Sequence, residues 1–160
     1  MILPTIDELS EDEPPSSVSG DGASMYVVER VMAISHLPAD AHVAVIGHHT
    51  LPFILALLRR GCTAVRSLRP GAPAPDCEPT DLAWIVDLRN EHELDDAFHA
   101  ARGRVGERGR IILEGAMCSW RNALAGLRDH ALAAGLDIIS VDHHMRRVVL
   151  APTRRQAMAA

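Results

Sequence analysis

Two adjacent histidines, His48 and His49, close the first long apolar run of the chain, and an aspartate, Asp87, closes a later one. Imidazole and carboxylate groups at neighbouring strand ends are what general acid–base chemistry or a metal ion would use. Adjacent residues on a loop diverge, however, so the pair also reads as one histidine capping a strand end and one solvated, and no metal set is expected. Thr50, Arg69 and Arg89 could hold a phosphate or carboxylate at the start of the helix that follows, where backbone N–H groups are free. Pro52 removes one of those donors. A second pair, His143 and His144 beside Asp142, falls in a hairpin corner where polar residues are expected anyway, several strands from the first. Cys118, followed by Ser119 at a helix start, reads either as an activated thiol or as a small buried residue.

These groups need strand ends to hold them, and the stretch His42 to Arg66 supplies the first. HVAVIG is an apolar run ending in glycine, LPFILALLRRG is an apolar helix long enough to cross over a sheet, and CTAVRSL is a second run. Together they make a β-α-β unit of the kind parallel strands require. Thr50 is available as N-cap, Pro52 sits in the first turn and Gly61 ends the helix. Before this unit, ASMYVVERVMAISHL reads as an amphipathic helix, with Asp21 or Ser24 as cap and Pro38 closing it. After it, RPGAPAPDCEP is too rich in proline to be anything but a loop. LAWIVDL is a third buried strand, and residues 91–106 form a helix with acids first and arginines last. GRIILEG is a fourth strand, and SWRNALAGLRDHALAAG a helix from Ser119 to Gly135. LDIISVDHHMRRVVLAPT is an antiparallel hairpin closing the sheet. This order is that of an α/β three-layer sandwich with a doubly wound, mostly parallel sheet.

At 160 residues and 48% hydrophobic, the chain makes one folded domain, over about residues 21–152. Residues 1–20 combine acids, prolines, serines and glycines and read as an acidic tail, with 153–160 a frayed end. Ile2, Leu3, Ile6 and Leu9 among those acids could form a docking peptide for a protein partner. The acidic N-terminus has no secretory pattern and no run is long enough to span a membrane, so a cytoplasmic location is expected. All sixteen basic residues are arginine, scattered in a chain of net charge −5, which argues against nucleic-acid binding and fits a GC-rich genome. Three cysteines, without a CxxC pair, read as reduced. The sheet edges and first helix could offer apolar surface to a homodimer.

Over about residues 22–152, the element order resembles class I S-adenosylmethionine-dependent methyltransferases, above all in the helix ending AAG followed by a strand and an antiparallel return strand. The resemblance implies a methyltransferase-like Rossmann fold and a cofactor crevice between the first strand and LAWIVD. It implies S-adenosylmethionine as cofactor, bound among Gly47, His48, His49, Thr50, Arg69, Asp87 and Arg89. The chain departs from that family in three ways. His49 and Leu51 stand where further loop glycines would fall, and Arg66, Ser67, Leu68 and Arg69 stand where an acid would hold the ribose. The proline loop leaves no room for the family's third strand and the helix before it. The expectation is a degenerate domain acting as a binding or regulatory module, the alternative an active methyltransferase with a divergent loop. A third reading is a metal enzyme built on His48, His49 and Asp87.

Overall fold

A computed structural model describes residues 20–73, 78–115, 118 and 124–154, with side chains from Val27 onward. The acidic N-terminal segment and the C-terminal residues from 155 lie outside the described residues, as do Cys77, Ser119 and Trp120. Along the chain come α1 (Gly20–Ser35), β1 (His42–Ile46), α2 (Leu51–Arg59), β2 (Ala64–Leu68) and β3 (Thr80–Ile85). Then follow α3 (Glu91–Arg104), β4 (Val105–Glu114), α4 (Leu127–Ala133), β5 (Leu136–Asp142) and β6 (Arg147–Pro152).

The strands form one six-stranded sheet in the order β2-β1-β3-β4-β6-β5. β2, β1, β3 and β4 run parallel, while β6 enters antiparallel between β4 and β5. From β1 the chain winds outward to β2, then returns across β1 and winds the other way, so strand order reverses between β1 and β3. A ligand crevice opens at such a reversal, beyond the carboxyl ends of the strands. This is the expected doubly wound sandwich.

The apolar runs of β1, β3 and β4 are nearly continuous because both faces of these strands are covered, and successive side chains serve opposite layers. Ala83 and Ile85 of β3 join Leu94, Ala97 and Phe98 of α3 and Leu127 and Ala131 of α4. Leu82 and Trp84 join Val28, Val31 and Met32 of α1 and Phe53 and Leu57 of α2. Phe53 meets Trp84 edge to face, with ring centroids 5.0 Å apart. Burying each of the larger side chains contributes about 1.5–3 kcal/mol before the entropy of ordering is set against it.

Several boundaries differ from those the residues imply. α1 begins at Gly20, so Asp21 and Ser24 lie inside the helix rather than capping it. Thr50 makes no side-chain cap to α2; its hydroxyl is shared with that of Ser67 at 2.6 Å, tying the helix start to β2. β4 starts at Val105, four residues before GRIILEG, because Val105 pairs with Thr80 across an irregular register. The last helix starts only at Leu127, since Gly126 takes a left-handed turn (φ 70°) that a longer helix could not contain. Gly61, at φ 100°, ends the second helix as expected. Among the described residues no helix or strand separates β2 from β3, and β2 is an edge strand.

Candidate functional site

At the point where strand order reverses, β1 and β3 run on into the loops Gly47–Thr50 and Val86–Asn90. Both loops stay paired past their strands: Gly47 N–H donates to the Leu68 carbonyl at 2.9 Å and Val86 N–H to the Ile46 carbonyl at 2.9 Å. Gly47 is required by this close approach, because a Cβ there would stand 1.9 Å from the Val86 carbonyl oxygen. Its glycine serves the sheet itself.

Above this floor the two lips are joined through their polar side chains. Asp87, held in the left-handed region at φ 47°, accepts from the His49 backbone N–H at 3.1 Å and from His49 Nδ1. His48 Nε2 donates to Glu93 Oε1 at 2.7 Å, with both side chains about four-fifths buried. Glu93 is also the third residue of α3: its N–H donates to the Asn90 side chain at 3.0 Å, while its Oε2 accepts from the Arg89 N–H at 2.8 Å. This differs from a capping box only in that the carboxylate takes the N–H of the residue before the cap, Arg89, rather than that of Asn90 itself. Burial pushes the Glu93 carboxyl up, but hydrogen bonds from Arg89 and His48, with the charges of both, outweigh it and leave the group below the ordinary carboxylate range. It is held as an anion.

The seven residues singled out from the sequence thus meet unevenly. Gly47, His48, His49, Thr50 and Asp87 stand at the carboxyl ends of β1 and β3, but the two histidines turn to different carboxylates and do not converge. Among the described residues no group of three or more His, Cys, Asp or Glu side chains could hold a metal. Arg89 donates its backbone N–H to Glu93 and has an exposed side chain. Arg69, also exposed, stands beside the opening, where a cleft of about 480 Å³ is lined by His48, Ser67, Arg69, Pro70, Glu93 and Asp96. Glu93 and Asp96 were not anticipated as site residues. Helical spacing places them one turn apart on α3, but only the topology turns that face toward β2.

Other polar candidates are used within the fold. Glu114, at the end of β4, is buried, and one oxygen accepts from Arg147 Nε at 2.7 Å and Trp84 Nε1 at 3.2 Å. Cys118 is buried with its thiol donating to the Glu114 carbonyl at 3.6 Å. Burial, against weaker opposing contributions from Leu88 and Arg146, pushes that thiol up to about 11, the reverse of activation. Asp142 holds the hairpin corner by accepting from the Met145 N–H at 3.0 Å, and His143 and His144 are exposed.

No protein-family model matches the chain, and no curated protein does. Solved structures do. A TehB-like S-adenosylmethionine-dependent methyltransferase from Corynebacterium glutamicum is 13% identical, with 81% of this chain and 87% of that one covered and a TM-score of 0.59. The CcbJ methyltransferase from Streptomyces caelestis is 12% identical over 84% and 93% of the two chains, with a TM-score of 0.61. The glycopeptide N-methyltransferase MtfA, solved with sinefungin, is 10% identical over 79% and 92%, with a TM-score of 0.59. The fold is therefore that of the class I S-adenosylmethionine-dependent methyltransferases, with a Rossmann-like mixed sheet. At these identities the likeness is one of fold.

Proposed function

We propose that this domain keeps a methyltransferase fold but works by binding, as a regulatory or assembly module. The observation that supports this most directly is the cross-linking of the crevice lips by His49 with Asp87 and by His48 with Glu93. Asp87, the acid that best matches a family site, is already satisfied by protein donors. The strand end that would offer a carboxylate to ribose hydroxyls offers Ser67 and Arg69 instead, and a guanidinium opposes a ligand that carries a sulfonium charge. S-adenosylmethionine does not fit these residues well. A protein partner engaging the acidic N-terminal segment or the β2 edge suits the same reading, as do a homodimer through such a surface and a cytoplasmic location. No helix among the described residues is long and apolar enough to cross a membrane.

A calorimetric titration with S-adenosylmethionine and S-adenosylhomocysteine tests the proposal. No heat of binding at millimolar ligand is expected; a micromolar dissociation constant overturns it. The second reading, an active methyltransferase with a divergent loop, draws support from the cleft of about 480 Å³ and the carboxylates of Glu93 and Asp96 on its wall. It requires Asp96→Asn to weaken cofactor binding at least tenfold. Gly47→Ala cannot decide between the two, because it disrupts the sheet whatever the function.

A further inference from the structure

The exposed face of α2 carries Leu51, Leu55 and Leu58, which are 64%, 43% and 47% exposed. Their spacing of four and three places them in one stripe along the helix. Three half-exposed leucines in line on a short helix form a surface that gains by being covered.

The charge distribution points to what covers it. The chain holds 21 acidic and 16 basic residues; five of the acids and none of the bases fall in residues 1–19, so the remainder is balanced. From Ala41 to Pro75, the span that contains β1, α2 and β2, there are four arginines and no acid. Two of them, Arg59 and Arg60, directly follow the stripe, and Arg60 also pairs with Glu29 of α1. The acidic segment has its own apolar row: Ile2, Ile6 and Leu9 repeat the spacing of four and three.

We propose that residues 2–13 of this chain dock on the leucine stripe of α2, with Ile2, Ile6 and Leu9 against Leu51, Leu55 and Leu58 and the acids toward the arginine-bearing end. Chain length permits it within one molecule. Glu29 touches Arg60 from a point about 14 Å along α1, at 1.5 Å per residue, and Ser10–Ser19 can span about 33 Å when extended. A tethered segment also meets the stripe at an effective concentration in the millimolar range, ahead of a second copy. This inference stands apart from the cofactor question.

Methyl NMR of the full chain tests it. Expected are nuclear Overhauser contacts from Ile6 and Leu9 methyls to those of Leu55 and Leu58, with Ile6 and Leu9 displaced from random-coil shifts. Leu55→Asp, at a half-exposed position, should return Ile6 and Leu9 to random-coil shifts and leave core methyls such as Ile85 unmoved. The reciprocal pair Ile6→Ser with Leu9→Ser should shift the Leu51, Leu55 and Leu58 methyls. Random-coil shifts for Ile6 and Leu9 in the unaltered chain overturn the proposal, as do shifts that ignore both sets of substitutions. Contacts seen only between differently labelled molecules overturn it in favour of a second copy.

Discussion

Asp87 combines an unfavourable backbone conformation with two hydrogen bonds from His49, and the carboxylate is what offsets the cost. Asp87→Ala loses the acceptor and places a Cβ without local polar compensation at φ 47°, so unfolding free energy should fall by about 1–2 kcal/mol. Asp87→Asn keeps an acceptor and should lose less than half as much; urea midpoints of the two variants check the order. His130 presents a different kind of residue-scale dependence. Its Nδ1 lies 2.6 Å from Asp95 and its Nε2 2.7 Å from Glu91, so both ring nitrogens must donate and the imidazolium is the form that fits. The Asp95 hydrogen bond raises its pKa, with Glu91 adding to this and partial burial opposing. A histidine raised in the folded state stabilises fully below its unfolded pKa of about 6.5, and that stabilisation is lost as pH rises through the folded value. The stability gap between the natural chain and His130→Ala should therefore be wider at pH 6 than at pH 8.5, as urea titrations at the two pH values would show.

At the scale of elements, α3 is set by its first turn. Asn90 accepts from the Glu93 N–H, and acids lead while Arg102 and Arg104 close the helix. Asn90→Ala should cost about 1 kcal/mol, read from thermal or denaturant unfolding. The charge order that orients this helix was legible in the sequence, as were the buried strands, because doubly covered strands leave long apolar runs and Gly61 marks a helix end. What stayed hidden depends on distance along the chain. His49 and Asp87 are 38 residues apart and His48 and Glu93 are 45 apart, so no local pattern reveals that the candidate ligand groups bind one another. Glu114 likewise meets Arg147 only because β6 returns beside β4. The left-handed turn at Gly126 was missed for the opposite reason: alanines and leucines on either side favour helix, and a glycine, free to adopt φ 70°, interrupts them.

For the whole molecule, the sheet divides into a locally wound half and a half completed from afar. β2, β1 and β3 are joined in order around one reversal point, whereas β5 pairs only with β6, and β6 bridges it to β4. A chain emerging from the ribosome consequently holds β5 in waiting: Leu136–Asp142 has no strand to pair with until Arg147–Pro152 has cleared the exit tunnel. A stalled nascent chain with Arg146 as the last residue outside the tunnel should be cut by protease within residues 136–142, and release of six further residues should suppress that cleavage. The antiparallel insertion thus makes pairing of β5 wait on a strand that is synthesised after it, and leaves the β4 edge open to chaperones, or to wrong strands, until then.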